Sequence, residues 1–130
     1  MKLLLDTHVW LWALRDDEKL SAKGRRLIET ADNELWLSPV SIWETALLVE
    51  KGRFGIEGAF DAWIEAAFEK LAMKEAPLTN HVALMSRVVR VGNQDPADRF
   101  LAATAEVFGL TLLTADKHLL AGRGFKHQSC

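Results

Sequence analysis

Cysteine is nearly absent from this sequence of 130 residues, and tyrosine is absent altogether. The single cysteine, Cys130, has no partner for an intrachain disulfide. Disulfide frameworks hold together small secreted domains, so nothing here points to such a domain or to an oxidising compartment. Apolar residues make up 49% of the chain and charged residues 26%, which is typical of a globular protein with its own core.

Long apolar runs are also missing. Residues 1–5 (Met-Lys-Leu-Leu-Leu) resemble the start of a signal peptide, but Asp6 and His8 interrupt the run and no small-residue cleavage site follows. No uninterrupted apolar stretch approaches the length of about 20 residues that a transmembrane helix needs. We therefore expect a soluble, cytoplasmic protein without a membrane segment.

The chain has no excess of basic charge. Its 16 basic and 18 acidic residues give a formal net charge of −2, whereas general nucleic-acid binders are usually basic. The balance becomes +2 if four clustered carboxylates are neutralised by bound metal, because such groups no longer repel phosphate as free ones do. Net charge therefore neither supports nor excludes RNA as a ligand.

No internal repeat, low-complexity tract or Pro/Gly-rich linker divides the chain, so we expect one domain over residues 1–130. Strands are predicted at residues 2–5, 34–37, 73–76 and 110–114, with a last one near Phe125. Helices are predicted at residues 8–14, 22–31, 39–51, 59–71, 80–90, 96–108 and 115–120. This alternation predicts an α/β fold, in which a mainly parallel central sheet carries helices on both faces.

Acidic residues occur where such a fold places its ligands, beyond the carboxyl ends of the strands. Asp6 ends the first predicted strand, and Glu44 lies in the first turns after the second. Asp116 follows the strand at residues 110–114, and Asp98 lies at the start of the helix at residues 96–108. We expect these four side chains to lie together at one edge of the sheet.

Each of these acids alone also fits a helix cap. Ser41-x-x-Glu44 matches a capping box, although Ser38-Pro39 competes for the same helix start. Asp95 and Asp98 occupy the N-cap and third positions of one predicted helix, near the positive end of its dipole. The two remaining acids precede predicted helices as well. Capping alone does not explain why three of them, Asp6, Glu44 and Asp116, follow strands of one sheet.

A shared metal ion explains the group better. Four carboxylates at one edge would repel one another, and such clusters usually bind a hard divalent cation through oxygen ligands. Mg²⁺ suits carboxylate and water ligands, with Mn²⁺ as a substitute, whereas Zn²⁺ prefers His and Cys. Zinc is not expected, because no HExxH or other paired-ligand spacing is formed by the histidines at positions 8, 81, 118 and 127.

Four segments containing these acids resemble the motifs of PIN-domain proteins, most closely the VapC-type toxins of toxin–antitoxin modules. They are residues 4–8 (Leu-Leu-Asp-Thr-His), 38–44 (Ser-Pro-Val-Ser-Ile-Trp-Glu), 95–105 (Asp-Pro-Ala-Asp-Arg-Phe-Leu-Ala-Ala-Thr-Ala) and 112–116 (Leu-Leu-Thr-Ala-Asp). Each motif alone is weak, but the ordered set spans nearly the whole chain. The resemblance implies a Mg²⁺-dependent endoribonuclease whose catalytic and metal-binding quartet is Asp6, Glu44, Asp98 and Asp116.

The resemblance also allows roles to be assigned. Asp6 and Asp98 would hold the primary metal, Asp116 would complete or orient its ligand shell, and Glu44 would hold a second metal or orient the attacking water. The accessory candidates around them are Thr7, Asp95, Arg99 and Thr114. Asp95 fits a helix cap better than a ligand, and Arg99 fits either a phosphate contact or an ion pair with an acid. One departure is that Gly-Asn-Gln at residues 92–94 replaces a segment that contains His in many members.

Two other functions remain open from the residues alone. A metal-dependent phosphatase or phosphotransferase of related fold often uses an aspartyl nucleophile. The haloacid dehalogenase-like pattern has a second Asp two residues after the first, where this chain has His8. A non-catalytic PIN-like binding module is the other alternative, and retention of all four acids argues against it.

The partners expected from the resemblance are an RNA substrate, a cognate antitoxin protein and a second copy of the chain. An apolar stripe on the predicted helix at residues 59–71, together with Trp10 or Trp12, exceeds what one small core obviously needs. The stripe consists of Phe60, Trp63, Ala67 and Leu71. We therefore expect a homodimer and an antitoxin segment that covers a nearby apolar groove.

Overall fold

The computed structural model describes all residues from 1 to 130. The strands are β1 (Lys2–Leu5), β2 (Glu34–Leu37), β3 (Lys74–Glu75), β4 (Thr111–Thr114) and β5 (Lys126–Ser129). The helices are α1 (Thr7–Arg15), α2 (Ala22–Glu29), α3 (Pro39–Glu50), α4 (Phe60–Lys70), α5 (Asn80–Met85), α6 (Pro96–Phe108) and α7 (Lys117–Leu120). None of these helices combines the length and the apolar character that crossing a membrane would require.

All five strands form one parallel sheet in the order β3-β2-β1-β4-β5. The central strand β1 pairs with β2 on one side and with β4 on the other, so the strand order reverses at β1. In open parallel sheets the crevice at such a reversal is the usual ligand site. The predicted α/β fold with a parallel central sheet is confirmed.

Alternate side chains of β1 enter two separate cores, one on each face of the sheet. Leu4 packs with α5, α6 and α7, whereas Leu3 and Leu5 pack with α1 and α2. The alternation follows from the two-residue period of a strand. The leucines directly before Asp6 are thus anchored in both cores. The packing of these cores therefore determines where the Asp6 carboxylate lies.

The helix predicted to continue to Arg90 ends at Met85. The following residues form turns, and Val89 is drawn into the core. The side chain of Arg99 explains this end, because its Nε donates to the Ser86 carbonyl at 2.9 Å and its Nη2 to the Val89 carbonyl at 3.0 Å. Those carbonyls are thereby satisfied without a continued helix.

The apolar stripe of α4 does not form the exposed surface that we expected. Trp63 packs against the indole of Trp10 with ring centroids 5.9 Å apart, and Ala67 is buried in the same core. Trp10 is fully buried and Trp12 packs against that core. The stripe is thus used for folding within one chain, and it gives no support to a dimer.

Leu101 tests how far stability depends on the core beneath the site. Its side chain on α6 is fully buried. We expect Leu101→Ala to lower the free energy of unfolding by about 2–5 kcal/mol, because the substitution leaves a cavity. Urea denaturation measures this effect. Leu78→Ala, at a leucine that is 45% exposed, should cost less than about 1 kcal/mol; equal losses would contradict the assignment of Leu101 to the core.

Candidate metal centre

The four predicted acids lie around the carboxyl end of the central strand. Asp6 directly follows β1 and caps α1, and Asp116 follows the neighbouring strand β4 and caps α7. Glu44 lies in the middle of α3, and Asp98 lies in the first turn of α6. Asp6 and Asp98 are each only 8% exposed, so their carboxyl groups are largely removed from water.

Thr114 connects the two acids that follow β1 and β4. Its hydroxyl donates to Oδ2 of Asp6 at 2.7 Å and accepts the backbone N–H of Asp116 at 3.0 Å. The other oxygen of Asp6, Oδ1, accepts the backbone N–H of Thr7 at 2.8 Å. These bonds fix the orientation of the Asp6 carboxylate.

Thr7 provides the corresponding support for Glu44. The two oxygens of the pair, Thr7 Oγ1 and Glu44 Oε1, are 2.6 Å apart, and Thr7 Oγ1 lies 2.8 Å from Ser41 Oγ. Thr7 has a single hydroxyl proton, so when it donates to Glu44 the contact with Ser41 requires Ser41 to donate. The hydroxyl groups of Ser41 and Thr7 therefore form a chain of hydrogen bonds that ends at the Glu44 carboxylate.

Ser41 and Glu44 do not form the capping box that their spacing allows. Ser38 caps α3 instead, since its Oγ accepts the backbone N–H of Val40 at 3.0 Å and Pro39 takes the first helical position. Glu44 is consequently free to face the other acids. The role of Ser41 in supporting Thr7 was missed, because the capping-box pattern explained it without reference to other elements.

Asp98 is held from the loop that precedes α6. The amide of Asn93 donates to Asp98 Oδ2 at 2.9 Å. Asn93 lies in the Gly-Asn-Gln segment that departs from the family pattern, and only this departure could have drawn attention to it. Asp95 is the N-cap of α6 and accepts the N–H of Ala97 at 2.9 Å. The expectation that Asp95 serves as a cap is confirmed.

Arg99 does not form the ion pair with an acid that was one of the two roles considered from the sequence. Its guanidinium is bonded to the carbonyls of Ser86 and Val89, and it forms no ion pair with an acid. The reason is its position, one residue after Asp98 and therefore on a different side of α6. Arg99 joins α6 to the end of α5 and positions the helix that carries Asp98.

Burial and mutual repulsion make Asp6, Glu44 and Asp98 hold their protons more tightly than usual. The pKa of Glu44 is raised to about 7, mainly by burial and also by the charges of Asp6, Asp95 and Asp98, against the opposing bond from Thr7. Burial also raises the pKa of Asp98 to about 6. The pKa of Asp6 is raised mainly by burial and is lowered by the bond from Thr114. The acids thus act on one another through space.

No lysine or arginine forms an ion pair with any of these four acids. The two ion pairs of the structure join Arg25 to Asp16 and Lys74 to Glu34, away from the quartet. The chemistry of the donor set fits a hard cation such as Mg²⁺, which keeps several waters and binds through one or two carboxylates. No three acidic, His or Cys side chains lie close enough together in this structure to hold a metal ion between them. An oxygen site completed by water fits this geometry better than a fully protein-ligated one.

Comparisons with known proteins are consistent with this geometry. The sequence model of the PIN domain matches residues 3–123, and this range contains all four acids. The chain belongs to the PIN-domain family. The resemblance seen in the four motifs is therefore confirmed.

Relatives of this PIN domain are similar over their full length. The chain is 32% identical over 122 residues to the protein named ribonuclease VapC22 of Mycobacterium tuberculosis, covering 93% of this chain and 92% of that protein. Among solved structures, DNA-bound VapBC2 of Rickettsia felis matches with a TM-score of 0.73 at 13% identity, covering 100% and 99% of the two chains. DNA-bound VapBC of Salmonella typhimurium matches at 0.67 and 16%, covering 99% and 98%.

The raised pKa values predict how the metal-free PIN domain responds to pH. A carboxyl group whose pKa is higher in the folded than in the unfolded state contributes fully to the stability of the fold when the pH is below its unfolded pKa. This contribution is lost as the pH rises through its folded pKa. Thermal melts in EDTA should therefore show a falling Tm between about pH 5 and pH 8, since the folded pKa values of Asp98 and Glu44 are about 6 and about 7.

Asp98→Asn should flatten this pH dependence and raise Tm at pH 8, because it removes a buried charge while an amide can still bond to Asn93. Glu65→Gln, on the exposed face of α4, removes a charge outside the site and should follow the wild type. A pH profile of Asp98→Asn that overlies the wild type would contradict the buried-charge account.

Proposed function

We propose that this PIN domain is a Mg²⁺-dependent endoribonuclease that acts as the toxin of a toxin–antitoxin module. The observation that carries the proposal is the set of four acids around the end of β1. They are buried or half-buried, and no lysine or arginine forms an ion pair with any of them. The full-length similarity to a protein named as a VapC ribonuclease supports the choice of RNA as substrate.

Asp6 and Asp98 are the primary metal ligands in this proposal, with Asp116 and Glu44 completing or orienting the ligand shell. When bound, Mg²⁺ or Mn²⁺ supplies positive charge against the phosphoryl oxygens and favours ionisation of water at neutral pH. The supporting bonds from Thr114, Thr7 and Asn93 hold the carboxylates in place before substrate binds. Such preorganisation lowers the cost of reaching the transition state.

The reaction expected from these residues is hydrolysis by water rather than attack by the ribose 2′-hydroxyl. The site contains carboxylates and no pair of histidines, since His8 is exposed on α1 and the other three lie on α5, α7 and β5. Carboxylates can accept protons from water and orient it. The products should therefore carry 5′-phosphate and 3′-hydroxyl ends.

Asp98→Asn should lower RNA cleavage by roughly a hundredfold or more, because one electrostatic contact in such a site typically contributes that much. Cleavage of a labelled RNA with Mg²⁺ measures the effect, and excess EDTA should abolish cleavage by the wild type. Calorimetry should show weaker Mn²⁺ binding by the variant.

Asp95→Asn is the matched control for this experiment. It removes a carboxylate from the same end of α6, but asparagine can still cap the helix. Its RNA cleavage should stay within about tenfold of the wild type. Such a loss is much smaller than the roughly hundredfold loss expected at a metal ligand. Full activity in Asp98→Asn, or cleavage that persists in EDTA, would remove the metal mechanism.

A cognate antitoxin belongs to the proposal as well. The solved relatives include VapBC complexes, in which a VapC protein is bound to its partner. This chain has an apolar cavity of about 500 Å³ between α3 and α4, lined by Ile42, Ile64 and Phe68 among others. A cavity of this size and character suits the apolar face of a partner segment.

A homodimer is the last part of the proposal, and a different surface supports it. Leu84 is 71% exposed and Val88 is 69% exposed, four residues apart on α5 and the turns that follow it. Adjacent exposed apolar side chains of this size are typical of an interface.

Leu84→Glu combined with Val88→Glu should convert a dimer to a monomer, because each buried carboxylate would need a partner in the interface. Light scattering on a sizing column measures the mass. Ala62→Glu with Ala66→Glu, two exposed positions on α4, adds the same charge and should leave the dimer intact. A wild type that remains monomeric at high concentration would refute this part.

A further inference from the structure

A second groove contains Glu44, one member of the acid quartet, and runs along α3. Its volume is about 380 Å³, and it lies between α1, α3, the turn after α3 and the start of α6. The residues that give it chemical character are His8, Trp43, Glu44, Lys51, Arg53 and Asp95. The metal mechanism uses only Glu44 among them.

Opposite charges are separated along this groove. Glu44 lies on α3 and Lys51 is the C-cap residue of that helix, seven residues later and therefore about 10 Å away along the helix axis. Arg53 follows Lys51 in the turn beyond the helix, so two cations lie at the far end. A long anion bound along the groove would therefore have one end at the proposed metal site and the other at these two cations.

The two cations have no partner within the protein. Lys51 and Arg53 are exposed, and their side chains form neither an ion pair nor a hydrogen bond. Nearby Arg15, by contrast, bonds to the Gly55 carbonyl and lies over the ring of Phe54. Favourable interaction with the end of the α3 dipole explains one cation at this place. It does not explain a second cation beyond the helix that lines the same groove.

Trp43 provides an aromatic surface on the edge of the groove. Its side chain is 57% exposed, although a tryptophan on an amphipathic helix is normally buried. It is adjacent in sequence to Glu44 and lines the same cavity. An exposed indole of this kind offers a face on which an unpaired base can stack.

We propose that single-stranded RNA binds along this groove, with a base stacked on Trp43 and a phosphate held by Lys51 and Arg53. The scissile phosphate then lies at the acid quartet, so this proposal rests on the proposed function. An anionic chain with aromatic rings matches both features of the groove. A basic peptide would suit the acids, but it would be repelled by the two cations.

Salt dependence of binding tests the cationic end. Lys51→Gln with Arg53→Gln is compared with Lys23→Gln and Arg26→Gln, two exposed cations on α2, so the two double variants lose the same charge. The probe is a short fluorescein-labelled RNA of mixed sequence, and an Asp98→Asn background keeps it intact. Losing the contact to this one phosphate should reduce the slope of log K against log salt by about 0.7, the value for one phosphate of a single strand.

Substitutions of Trp43 test the stacked base. Trp43→Leu keeps an apolar side chain but loses the aromatic face, and it should weaken binding of the labelled RNA on the order of tenfold. Trp43→Phe should retain most of the affinity. Double-stranded RNA of the same sequence should bind both variants equally, because its bases are already stacked.

Kinetics separates the failure of this proposal from the failure of the proposed function. Lys51→Gln with Arg53→Gln should raise KM with kcat nearly unchanged, because these residues bind substrate away from the reacting phosphate. If the wild type cleaves RNA but the groove variants match their controls in slope, affinity and KM, the groove proposal is overturned and the ribonuclease stands. If binding changes as expected but no RNA is cleaved with Mg²⁺, the proposed activity fails and the RNA groove stands.

Discussion

Repulsion among carboxylates held away from water is the constraint on which the rest of this structure depends. Asp6 directly follows three fully buried leucines, Leu3 to Leu5, where its charge is costly unless something compensates for it. The fold brings further acids toward it without a neutralising lysine or arginine. The metal-free protein therefore carries a local strain that a divalent cation can relieve, and binding of that cation would stabilise the folded state.

The side chains proposed for the chemistry also lie at helix starts, where two of them act as caps. Asp6 and Asp116 each accept a backbone N–H at the start of a helix, and Asp98 lies in the first turn of α6. Helix N-termini favour negative charge, so they offset part of the repulsion within the cluster. The choice between a cap and a ligand therefore does not arise for these residues, because a carboxylate has about four lone-pair sites and the bonds to the helix and to Thr114 leave some of them available.

The supporting residues come from elements that are distant in sequence. Thr114 reaches Asp6 across 108 positions of the chain, and Thr7 reaches Glu44 across 37. Arg99 supports Asp98 indirectly by tying α6 to the carbonyls at the end of α5. Along α3, the acids give way to Lys51 and Arg53, so one helix extends from the proposed reaction centre to a region of opposite charge. Function in this small domain thus depends on how its elements are packed together.

The sequence by itself determined the alternation of elements, the parallel sheet and the positions of the four acids, because strand periodicity, helix caps and ordered motifs are local signals. Tertiary structure alone decided the contacts between elements. It paired Asn93 with Asp98, assigned Arg99 to backbone carbonyls, ended α5 at Met85 and buried the stripe of α4 beneath Trp10. Local patterns carry no information about which distant partner satisfies a polar group or covers an apolar face, since that is settled only when the whole chain packs.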